Sequence, residues 1–111
     1  MIQDYFDIVA KAKKEFDYWV KPEVSNYHSL QFIFPSVEED KQITTLIFYK
    51  INKDIYENEA NGNTSAIKSK FLNLIKKYEM PTEVIQSMEF EVDSDENVKE
   101  NYEGDYFYRL R

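Results

Sequence analysis

His28 and Ser29 stand side by side in a chain with 21 acidic residues, so nucleophilic and acid–base chemistry are the first possibilities to weigh. A Ser–His–carboxylate triad needs the imidazole held between hydroxyl and acid, a geometry that adjacency along the chain does not create. His28 is the only histidine, has no carboxylate at a telling spacing, and reads as a residue of the loop 23–29. Cysteine is absent, which excludes thiolate zinc sites, iron–sulfur clusters, disulfides and cysteine nucleophiles within this chain and leaves carboxylates as the available metal ligands. Their best pattern is Asp93-Ser94-Asp95-Glu96-Asn97, which matches the first three ligand positions of an EF-hand loop. The match then breaks: the sixth position, which needs glycine for a sharp turn, is Val98, and the twelfth, which needs a bidentate glutamate, is Gly104. The stretch reads as a turn and helix cap. Paired carboxylates for glycoside hydrolysis are uninformative where acids are so abundant. Gly62 and Gly104 alone cannot build a phosphate-cradling loop. The expectation is a protein that is not an enzyme, with no catalytic residues, metal or cofactor.

The acids have a different message. Nine of them lie within residues 83–105, where Lys99 is the only basic residue, so that block carries −8 and the remainder +1 of the net −7. Met88, Phe90, Val92, Val98, Tyr102, Tyr106, Phe107 and Tyr108 are threaded through and beyond it, unlike a disordered acidic tail, which is poor in such residues. A folded acidic face carrying aromatics is suited to a basic protein partner. Its candidate binding residues are Glu89, Glu91, Asp93, Asp95, Glu96, Glu100, Tyr102, Glu103 and Asp105, with Glu38, Glu39 and Asp40 added from a strand-connecting loop. Nine tyrosines exceed what a core of this size readily takes, because each buried hydroxyl needs a partner, so several are expected at the surface. Tyr102 is the candidate hot spot, with packing beneath the terminal strand as its structural alternative. Nucleic acid is not an expected partner, since phosphates would be repelled.

The elements that must position these residues follow from periodicity. Ile2, Tyr5, Phe6, Val9, Ala12, Phe16, Trp19 and Val20 recur at three- and four-residue steps and predict a helix over 2–20, stopped by Pro22. Leu30, Phe32 and Phe34 alternate before Pro35, and 43–51 alternates again, predicting two strands joined by an acidic loop. Asn61-Gly62-Asn63 marks a turn, after which Thr64 or Ser65 caps a helix over about 65–79 with Ile67, Phe71, Leu74, Ile75 and Tyr78 on one face. Met88, Phe90 and Val92 alternate with Glu89 and Glu91, predicting a half-buried strand with a carboxylate outer side. Asp93 or Ser94 caps a short helical turn through Asn101, Gly104 supplies a positive φ, and 106–110 reads as a terminal strand. The predicted fold is α+β: one domain over 1–111, with two main helices on one face of a mainly antiparallel sheet of about four strands. The helix between the second and third strands also permits a parallel crossover there. Asp4, Asp7, Glu15 and Asp17 do not fit a signal peptide. The longest purely apolar run, 46–49, is far short of the ~20 residues of a membrane span. A cytoplasmic protein with no membrane partner is expected.

The final segment, Asp93-Ser94-Asp95-Glu96-Asn97-Val98-Lys99-Glu100-Asn101-Tyr102-Glu103-Gly104-Asp105-Tyr106-Phe107-Tyr108-Arg109-Leu110-Arg111, resembles the C-terminal ends of small bacterial immunity proteins of contact-dependent growth inhibition systems. The resemblance covers under a fifth of the chain. It implies a protein that binds and neutralises a cognate toxin C-terminal domain, often a nuclease, in the cytosol of the producing cell. Members of that class are too diverse for any binding residue to be carried over to a position here. Physical reasoning points the same way, because a nuclease presents positive charge to phosphates and a carboxylate face can compete for it. Two alternatives remain: a regulatory or adaptor domain binding another basic protein, and a carboxylate-based hydrolase with one raised pKa in a concave pocket.

Overall fold

The apolar stripe Tyr5, Val9, Ala12, Phe16 and Val20 is buried along one side of α1 (Ile2–Glu23), as its three- and four-residue spacing requires. The computed structural model describes residues 2–36 and 41–111, with side chains from residue 4 onward; Glu38, Glu39 and Asp40 lie outside the described residues. α1 runs through Pro22 rather than ending before it, because the proline falls in the exposed last turn, which the Val24 N–H closes onto the Val20 carbonyl at 2.8 Å.

After α1 come β1 (Tyr27–Ile33), β2 (Thr44–Tyr49), α2 (Asn52–Ala60), α3 (Asn63–Lys77), α4 (Thr82–Ser87), β3 (Glu89–Ser94), α5 (Asp95–Asn101) and α6 (Tyr106–Arg109). The fold is α+β, with six helices and a three-stranded mixed sheet among the described residues. β2 is central: β1 pairs with it antiparallel, Leu30 opposite Ile47, and β3 pairs with it parallel, Ile47 opposite Val92. The parallel pairing is allowed by the long helical crossover between β2 and β3. The expected fourth strand does not form. Residues 106–110 turn into α6 because the Asp105 carboxylate accepts the Tyr108 N–H at 3.1 Å, and Tyr106 and Leu110, four apart, then share the side facing the sheet.

Alternation in β2 gives the sheet two apolar faces. Ile43, Ile47 and Tyr49 enter the main core with Leu30, Phe16, Ile67, Phe71 and Ile75, so both long helices cover this one face. Leu46 and Phe48 point the other way and are buried under α5 and α6. Gly62, at φ 87°, starts α3 two residues before the predicted cap. Thr64 does not cap the helix; its hydroxyl shares a 2.6 Å hydrogen bond with the buried Tyr49 hydroxyl. No helix among the described residues is long and apolar enough to cross a membrane.

Candidate functional site

Leu46 and Phe48 would be bare without the last seventeen residues, and the two short helices that cover them form a cap over the second face of the sheet. α5 begins where predicted: Ser94 Oγ accepts the Asn97 N–H at 3.0 Å. It ends where the N–H groups of Tyr102 and Gly104 both reach the Val98 carbonyl, at 2.9 Å each, with Glu103 at φ 56° and Gly104 at φ 75°. Left-handed backbone suits Gly104 and strains Glu103.

Two polar latches hold the cap. In the first, Tyr106 packs edge-on against Phe48, with ring centroids 4.9 Å apart, and its hydroxyl donates to Asp95 Oδ1 at 2.6 Å. Lys99 Nζ lies 2.9 Å from the other Asp95 oxygen. The Tyr106 hydrogen bond, followed by that from Lys99, lowers the Asp95 carboxyl pKa from its ordinary value. Burial first, then Asp95, raises that of the Tyr106 hydroxyl. In the second latch, Arg109 Nε donates to Asp93 Oδ2 at 2.6 Å, and Asn97 Nδ2 sits 3.0 and 3.1 Å from the two Asp93 oxygens. Asp93 and Asp95 therefore already hold intramolecular donors at the positions that matched the start of a calcium loop.

His28 lies in β1, not in a loop as the sequence suggested. Its ring is parallel to that of Tyr106, with Nε2 3.6 Å from Asp95 Oδ1 and Nδ1 3.1 Å from Ser29 Oγ. The order hydroxyl–imidazole–carboxylate is thus present, which spacing could not reveal. Asp95 is nevertheless bound more closely to Tyr106 and Lys99 than to His28, and Gln31 Nε2 lies 3.3 Å from Ser29 Oγ. The arrangement is one that docks α6 onto β1.

The structure sorts the predicted binding residues that it describes into four groups. Asp93 is buried, and Asp95 keeps only 13% of its side-chain surface. Glu96 accepts the Asn52 N–H at 2.7 Å at the start of α2, Asp105 caps α6, and Tyr102 is half-buried with Leu46, Phe48 and Val98 beside the Arg109 guanidinium, 5.6 Å away. Glu91 is half exposed, 3.9 Å from Arg109. Glu89, Glu100 and Glu103 are exposed and have no ion-pair partner among the described residues. Arg109, outside the acidic block in sequence, folds back to neutralise part of it.

Sequence reasoning missed the strongest apolar feature of the cap. Phe107 is 74% exposed, and Tyr108 beside it is exposed as well. With Ile33, Leu110, Phe32 and Arg111, Phe107 borders an open cleft of about 320 Å³ at the edge of the sheet. The available signal was Asp105 preceding Tyr106 and Leu110 at a four-residue step, which defines a short helix and leaves Phe107 outside its packed side. No protein-family model, curated protein or solved structure matches the chain.

Proposed function

We propose that this protein is an immunity protein that binds and neutralises a cognate toxin domain, a basic nuclease, through its C-terminal cap. The observation that carries this reading is the conjunction of an exposed Phe107 and Tyr108 with the carboxylates of Glu100 and Glu103, which have no ion-pair partner among the described residues, on two short, latched helices and the turn between them. A large exposed aromatic can anchor a protein partner, and exposed carboxylates elsewhere on the cap raise the association rate with a basic surface, while the Arg111 guanidinium lies over the Phe107 ring, 5.6 Å from its centroid. The anchor moves from Tyr102, which serves the cap's own packing, to Phe107.

The test is to establish whether the gene immediately upstream encodes a large secreted protein with a variable C-terminal domain and, where it does, to purify that domain and measure its nuclease activity and its binding with and without this chain. Salt-sensitive binding with loss of nuclease activity is the expected result. Binding without inhibition would move the cap to the adaptor reading, and no binding at low salt would overturn the proposal.

A further inference from the structure

On the opposite side of the sheet, α1 presents Lys11, Lys14, Tyr18 and Lys21 at steps of three, four and three residues, which makes them one stripe on its solvent face. None of the three lysines has an ion-pair or hydrogen-bond partner among the described residues. The acids beside them are occupied: Asp17 holds Lys13 at 3.3 Å, and Glu15 holds Lys77 at 2.8 Å and the Tyr78 hydroxyl at 2.7 Å. Those bonds, with Lys77 first, lower the Glu15 carboxyl pKa. Tyr18 is 77% exposed and stands between two shallow clefts of about 260 and 230 Å³. α3, packed beside α1, carries Lys68, Lys70, Lys76 and Lys77 and no acid. Asp4 and Asp7 continue the stripe at the same steps toward the N-terminus, so the positive charge on this face lies in the Lys11–Lys21 half of α1, beside an exposed tyrosine, and in α3, whereas the other face carries a negative surface with an exposed phenylalanine.

We propose that a second copy of this chain docks its acidic cap on the Lys11–Lys14–Tyr18–Lys21 stripe, so that copies associate front to back. Charge complementarity selects the occupant. The net charge of −7 opposes any approach of two copies, and cap against stripe is the pairing that offsets it by bringing unpartnered carboxylates onto unpartnered ammoniums. The stripe holds no arginine, the residue whose planar fork reads phosphate bidentately, and single ammoniums suit carboxylates. Phe107 and Tyr18 supply the apolar contact. Because the two surfaces differ, the contact is heterologous and leaves a free stripe and a free cap at the ends. The association is weak and strongly salt-dependent, since its charges are exposed. It involves no toxin and stands or falls separately from the functional reading.

Sedimentation velocity on the purified chain tests it. In about 0.01 M salt, where the screening length is roughly 30 Å, the weight-average mass should rise with concentration above the 13.4 kDa monomer. In about 1 M salt, where it is roughly 3 Å, it should return to the monomer value. The stripe variant K11E/K14E/K21E and the variant E89K/E100K/E103K, which adds to the cap residues Glu100 and Glu103 the exposed Glu89 at the start of β3, should each be monomeric alone. An equimolar mixture of the two should associate again, as should the chain carrying all six changes. A wild-type chain that is monomeric at low salt at every concentration overturns the proposal, as does either triple variant that associates alone or a mixture that does not. The wild-type salt series decides the matter even where a variant fails to fold, which circular dichroism would reveal.

Discussion

The two faces of the central sheet are covered by different means. On one, α1 and α3, of 22 and 15 residues, bury a continuous apolar core in which Phe16 meets Trp19, Tyr27 and Phe71 with ring centroids 5.7 to 6.0 Å apart. On the other, helices of seven and four residues cover only Leu46 and Phe48 and are held by Asp93–Arg109 and Asp95–Tyr106. Helices that short are not stable alone. The first face should therefore set global stability, and the second is a locally held platform whose outer side is exposed. Regions with few buried apolar contacts open at lower cost than the core, and binding elements are often drawn from them.

The contrast is sharpest in the largest effect expected. Phe16→Ala should cost about 3–5 kcal/mol in urea unfolding, because a fully buried ring at the α1–α3 contact is removed. Arg109→Ala should cost about 2 kcal/mol, below the range for a fully buried pair because the guanidinium is partly exposed. Its signature is local: amide exchange should quicken across 95–111 and stay slow in α1 and α3. Equal acceleration everywhere would break the distinction between the two faces.

Tyr106→Phe should cost about 1 kcal/mol at neutral pH through the lost Asp95 hydrogen bond. The carboxyl pKa of Asp95 is lowered in the folded state, so its stabilisation is present above the unfolded value near 3.8 and disappears as pH falls through the folded one. The variant should therefore lose less stability than wild type over that acid window. Glu103→Gly should stabilise the fold by about 1 kcal/mol, because φ 56° is strained for glutamate, while weakening attachment to a basic partner. A gain in stability with a loss of binding would mark Glu103 as a residue of the surface rather than of the fold.

How much of this was legible in the sequence depends on the reach of each interaction. α1, α3, β2 and β3 follow from apolar periods, and the Ser94 cap from a local side chain. α2 was missed because its buried residues are polar: Asp54 accepts the Ile51 N–H at 3.1 Å, and Asn58 bonds Asn26 and Asn63 at 2.9 and 2.8 Å, a network with no hydrophobic signature. The acidic face was visible as composition but not as geometry. Arg109 reaches Asp93 from sixteen residues away, and Tyr106 meets His28 across seventy-eight, so the removal of Asp93 and Asp95 from the solvent surface is a tertiary event. The aromatic run 106–108 favours a strand, and the Asp105 cap overrides that preference.

The most direct test of the cap as binding surface is the dissociation constant of Phe107→Ala for the upstream-encoded toxin domain, measured beside its thermal midpoint. Phe107 is mostly exposed, so the midpoint should match wild type. The dissociation constant should rise roughly 30-fold, the equivalent of about 2 kcal/mol for an anchor residue. An unchanged dissociation constant for a toxin domain that wild type does bind would contradict the assignment of the cap as the partner surface.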